Sequence, residues 1–133
     1  MKKVQIIIIT IFLFFWFIST AYAEIILKKA SYKTSKQIPL EFVLEKTNYH
    51  WDGKLCLWGY VKNNTKKTYD LVCVEFTARD KDSKFLNRKS FYMFPNLINP
   101  GEAGSVNGFP ICIDLDERNV ATLEYIVEGA EII

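Results

Sequence analysis

From Glu24 onward the chain is a succession of short segments rich in Val, Ile, Phe, Tyr and Thr, each closed by a turn signal, and no stretch carries an apolar stripe at helical spacing. Branched and aromatic side chains suit a pleated surface and lose freedom in a helix, so this pattern leads to strands. An entry strand is expected over 24–30. A polar, basic loop follows at 31–37, and a strand over 39–45 sets Leu40, Phe42 and Leu44 on one face. After the Asp52-Gly53 turn signal, 54–63 alternates Leu55, Leu57, Gly59 and Val61 against Cys56, Trp58, Tyr60 and Lys62. The strongest strand, 69–80, sets Val72, Val74, Phe76 and Ala78 inward and Leu71, Cys73, Glu75, Thr77 and Arg79 outward. Short extended pieces at 85–89 and 90–94 precede a tight turn at Asn99-Pro100-Gly101-Glu102, where Pro presets its own φ and Gly supplies freedom. Strands over 104–115, with Phe109, Ile111, Ile113 and Leu115 on one face, and over 120–128, with Leu123, Tyr125 and Val127 on one face, complete the series. About seven or eight strands at this spacing predict a single all-β, antiparallel, two-sheet sandwich over residues 24–133.

The first 23 residues read differently. Met1-Lys2-Lys3, an apolar run from Val4 to Ile18 and Ala21-Tyr22-Ala23 have the charge, apolar core and small-x-small end of a secretory signal peptide, with cleavage expected between Ala23 and Glu24. The alternative is an uncleaved membrane anchor, but the run is shorter than the roughly 20 apolar residues needed to span a bilayer. No Cys follows the run closely, so lipidation is not indicated. The chain carries 17 Lys and Arg against 15 Asp and Glu, and removing Lys2 and Lys3 leaves 15 of each. A neutral domain lacks the basic field that phosphate backbones demand, so nucleic acid is not an expected partner.

An exported location is oxidising. Three cysteines, Cys56, Cys73 and Cys112, then imply one disulfide and one residue left over, either buried and inert or free to bond a second chain. Their spacing matches no short zinc pattern and the chain has one His, so no metal is expected. His50 between aromatic neighbours reads as an exposed loop residue, and a Cys–His dyad is disfavoured because exported cysteines are usually oxidised. Asp80 and Asp82, with Asp114, Asp116 and Glu117, are the only oxygen-rich groups suited to calcium. Asp-Lys-Asp-Ser-Lys lacks the glycine and distal Glu of a helical calcium loop, so it reads as a plain turn. Asn63-Asn64-Thr65 fits a glycosylation acceptor, relevant only to a eukaryotic secretory protein. The surface feature worth following is aromatic: Tyr49, Trp51, Trp58 and Tyr60 could present flat, amphipathic rings to a protein or a glycan, or simply pack beneath the entry segment.

The order Gly59-Tyr60-Val61-Lys62-Asn63, a polar turn, Tyr69-Asp70-Leu71-Val72-Cys73-Val74-Glu75-Phe76, the turn at 80–84 and Asn99-Pro100-Gly101-Glu102 resembles the FxLYD-type and related immunoglobulin-like domains of bacterial envelope proteins. Phe76 and Asp80 agree with the naming motif, with Ala78 and Arg79 in place of its Leu and Tyr. The resemblance spans residues 58–102 and implies a small sandwich without a catalytic set or cofactor. In such a topology the strands carrying Cys56 and Cys112 are neighbours in one sheet and Cys73 lies in the other, which favours a Cys56–Cys112 bridge. The function expected is binding another envelope or extracellular protein through a sheet edge or the aromatic face, or a structural role. A carbohydrate- or cell-wall-binding module is the alternative, and an enzyme is not expected.

Overall fold

The computed structural model describes residues 25–49, 52–106, 110–115 and 119–133. The expected leader, His50, Trp51, Phe109, Asp116 and Glu117 lie outside them. Eight strands form two sheets: β1 (Ile26–Lys29), β2 (Glu41–Tyr49), β3 (Lys54–Lys62), β4 (Thr68–Arg79), β5 (Phe85–Tyr92), β6 (Ala103–Gly104), β7 (Ile111–Asp114) and β8 (Thr122–Ile132). One sheet has the order β1-β8-β4-β5; the other runs β2-β3-β6, with β7 also pairing β3. The molecule is the all-β sandwich that the alternating pattern predicts, with no helix among the described residues.

The inward rows are those read from alternation. Leu40 and Phe42 precede and enter β2; Leu55, Leu57 and Val61 line β3, and Val72, Val74, Phe76 and Ala78 line β4. Ile111 and Ile113 come from β7, and Leu123, Tyr125 and Val127 from β8. Phe42 and Phe76 meet edge to face across the two sheets at 5.0 Å between ring centroids. Burying each large apolar side chain contributes roughly 1.5–3 kcal/mol, so this shared core is what holds the sheets together. Gly59 lies where any Cβ would run into the Val43 carbonyl oxygen and the Phe42 ring, so the glycine admits a close approach between β2 and β3.

Four features differ from the sequence reading, and each arises from pairing between distant segments. β1 runs parallel to β8, so the sandwich is not antiparallel throughout. β2 continues to Tyr49 through a register shift between Leu44 and Lys46, which keeps Phe42 and Leu44 on the core side and brings Thr47 and Tyr49 to that side beyond the bulge. The two pieces expected over 85–94 are one strand up to Tyr92, paired with β4 without a break from Asn87 to Tyr92 and shifting register only at Phe85. The strand expected over 104–115 is split into β6 and β7, which pair opposite ends of β3.

A buried asparagine joins the sheets at the β3–β4 turn. Asn63 is fully buried; its Nδ2 donates to the carbonyls of Lys67 at 2.7 Å and Ile98 at 3.0 Å. Its Oδ1 accepts from the Thr65 amide and hydroxyl. The Asn63 backbone amide donates to the Glu102 carbonyl, and its own carbonyl accepts from Gly101. One side chain thus organises the polar turn and ties it to the Asn99–Glu102 turn, with every hydrogen-bonding position used.

Candidate functional site

The structure separates the aromatic set. Trp58 and Tyr60 stand on the outward row of β3, with Tyr60 opposite Val43 and Trp58 opposite Lys46. The Lys46 ammonium sits 4.5 Å from the Trp58 ring centroid, so a cation already covers that ring. Tyr49 lies on the other side of β2, packed against the core because of the bulge. Its hydroxyl accepts from the Val120 amide at 3.1 Å, and burial raises its pKa. Trp51 lies outside the described residues. A continuous platform of Tyr49, Trp58 and Tyr60 therefore does not form. The bulge that divides them is absent from the sequence pattern, because Glu45 and Lys46 suit either face.

Cys56 and Cys112 stand directly opposite each other on β3 and β7 and form the disulfide, with Cα atoms 4.1 Å apart. This is the pair that the strand order favoured. It ties the four-residue β7 to the sheet that buries Ile111 and Ile113. Cys73 is the free cysteine, half-buried on the outward row of β4, opposite Glu128 on β8 and Tyr92 on β5. Burial raises its pKa, and the nearby carboxylates of Glu128 and Glu75 push it further the same way, with Lys36 opposing. A thiol so placed is mostly protonated at neutral pH and is a poor nucleophile.

The outward row of the β1-β8-β4-β5 sheet is covered, which sequence reading did not foresee. The loop at 31–37 lies over it: the Tyr32 hydroxyl donates to Glu75 Oε1 at 2.9 Å and the Thr34 hydroxyl to Glu128 Oε2 at 2.9 Å. Gln37 bridges to Glu128, and the Gly129 amide donates to the Lys36 carbonyl. The Arg88 guanidinium stands 5.8 Å from the Tyr32 ring centroid and donates from Nε to Thr77 Oγ1. Thr77, Glu124 and Ile126, all outward by alternation, are buried on this face, Ile126 to 3 % exposure. Glu124 is held by Arg79 Nε at 2.7 Å.

The acidic turn is structural. Asp80 Oδ1 accepts from the amides of Asp82 and Lys84 at 2.9 Å each, closing the link from β4 to β5. Among the described residues no group of three metal-ligating side chains assembles. The Asn63 amide in Asn63-Asn64-Thr65 is buried with both hydrogens donated, so a glycan on it would break this joint.

Large apolar side chains are exposed where segment 92–98 runs beside 69–73. Backbone bonds hold the two together: Met93 and Ile98 donate to the carbonyls of Val72 and Tyr69, and Val72 donates to Asn96. Met93 and Ile98 are buried, whereas Tyr92 at 68 % and Phe94 at 62 % stand in solvent with Leu71 and Leu97. Leu71 adopts φ 53° at a register shift between Asp70 and Cys73. A left-handed leucine costs on the order of 1–3 kcal/mol, and such strain concentrates at working surfaces. The two long sheet edges are guarded by comparison. On β5, Lys89 occupies the inward row opposite Phe76, and β2 carries its bulge between Leu44 and Lys46. In the sequence Phe94 ends the extended piece over 90–94 and Leu97 follows it, with nothing in their spacing to mark them as exposed.

Compared with known proteins, the chain matches no family model, no curated protein and no solved structure.

Proposed function

We propose that the protein is an exported, non-catalytic sandwich that binds another envelope or extracellular protein through the end formed by Leu71, Tyr92, Phe94 and Leu97. The observation that carries this reading is the exposure of those four apolar side chains around one backbone pairing, beside a leucine held in a left-handed conformation. Large exposed apolar groups are the usual mark of an interaction surface, and aromatic anchors supply most interface energy. The guarded edges of β2 and β5 argue against strand addition as the contact. The signal-peptide pattern of residues 1–23 supports export, and the Cys56–Cys112 bridge suits an oxidising compartment. The resemblance of residues 58–102 to FxLYD-type immunoglobulin-like domains belongs to this reading. A photo-crosslinking residue at Tyr92 or Phe94 in producing cells is expected to give one discrete protein adduct. The same residue at Lys81, at the far end of β4, is expected to give none. Equal adducts at all three positions, or no adduct together with a tryptophan fluorescence response to cell-wall oligosaccharides, would replace this reading with a glycan-binding one.

A further inference from the structure

We infer that the segment from Ser31 to Gln37 is a strap that shields Cys73, keeping the odd thiol of this chain out of disulfide exchange. The inference rests on the export half of the reading above and not on its binding half. Its basis is the placement of the strap's anchors. Glu75 lies two residues from Cys73 on the same outward row, and Glu128 stands opposite Cys73 on the neighbouring strand. These are the two carboxylates that the strap grips, through the Tyr32 and Thr34 hydroxyls. Lys36, also in the strap, lies close enough to act electrostatically on the thiol. The strap therefore straddles Cys73 along the strand and across to β8, while Tyr92 flanks it on the β5 side.

The chemistry guarded against is simple. A Cys73 thiolate attacks one sulfur of a disulfide, a new S–S bond forms, the old one breaks, and the departing sulfur leaves as thiolate. No separate oxidant is needed. In an oxidising compartment an accessible third cysteine could attack a partner's disulfide or the Cys56–Cys112 bridge itself, so a chain with one bridge and one spare thiol benefits from a cover. Each hydrogen bond anchoring the strap is modest, so the cover can open locally without unfolding the sandwich.

The test is the rate at which the native protein reacts with a small aromatic disulfide, followed by release of the aryl thiolate. Wild type is expected to react far more slowly than the urea-unfolded chain. Tyr32→Phe combined with Thr34→Val removes both side-chain anchors and is expected to speed the reaction about tenfold at constant pH. Hydrogen exchange is expected to rise at 31–37 and at the Gly129 amide that the strap holds, and to stay unchanged in the rest of β4 and β8, which separates strap opening from general destabilisation. Tyr92→Ala serves as the opposing variant: if it accelerates labelling while the strap variant does not, access runs past β5 and the inference fails. It also fails if wild type reacts as fast as the unfolded chain, or if faster labelling in the strap variant is accompanied by exchange throughout β4 and β8.

Discussion

The two outer faces of this sandwich start from the same sequence pattern and end in different states. On β3 the outward row of Cys56, Trp58 and Tyr60 is knitted by a disulfide to β7 and topped by a single lysine. On β4 and β8 the outward residues Thr77, Glu124 and Ile126 are buried on the face that the strap crosses, and the cysteine there is unpaired. Alternation fixes the direction of a side chain along a strand. Whether that direction leads to water depends on a segment 40 or more residues away, as Tyr32 and Glu75 illustrate with a separation of 43.

The comparison can be broken most severely at the disulfide. The bridge closes a sequence separation of 56 residues, and in the chain-entropy account Cys56→Ser with Cys112→Ser lowers stability by about 4 kcal/mol. Urea unfolding should show this loss, with wild type in reductant behaving alike. A far smaller loss would mean that β7 docks without its staple. At the joint between the sheets, Asn63→Ala strands buried partners in the turn and the Ile98 carbonyl, and is expected to cost about 3 kcal/mol by the same measurement.

The contrast between the faces is sharpened by a matched pair. Ile126→Ala under the strap should cost about 2–3 kcal/mol, as a core truncation does, whereas Val43→Ala on the open face should stay within about 0.5 kcal/mol. Equal effects would show that the strap does not seal its face. Lys46→Ala is expected to cost only about 0.5 kcal/mol and to shift Trp58 emission, because it removes a partly exposed cation from the ring.

The smallest effect is alkaline. Burial raises the pKa of Cys73 and Tyr32 on the strapped face, and of Tyr49 and Tyr125 toward the core. A raised folded-state pKa contributes stability that is present below the ordinary values of 9.0 for the thiol and 10.0 for the phenols, and is lost as pH rises through the folded values. Denaturation series from neutral to strongly alkaline pH should therefore show declining stability, with a shallower decline in Cys73→Ser. An unchanged slope in that variant would assign the decline to the tyrosines alone.

Much of the fold was legible because its determinants are local. The rows Val72, Val74, Phe76, Ala78 and Leu55, Leu57, Val61 appear in the core as their alternation predicts, since a period of two leaves one consistent way to bury them. The candidate site was much less legible. The bulge after Leu44 that sends Tyr49 to the core, and the left-handed Leu71 that interrupts β4, insert residues compatible with either face. The exposed group of Tyr92 and Phe94 exists because Met93 between them took the inward place beside Val72, a choice made by its backbone bond to Val72 on β4.

The sequence by itself determined that this chain builds strands, which side chains each strand offers inward, and where its turns fall, because propensity, period and turn chemistry act over a few residues. Only the tertiary structure decided that β1 lies parallel to β8, that one segment splits into β6 and β7, that Cys56 meets Cys112, and that the basic loop becomes a strap. Those choices rest on pairing and burial between distant segments, where the gain appears only once the whole core has closed.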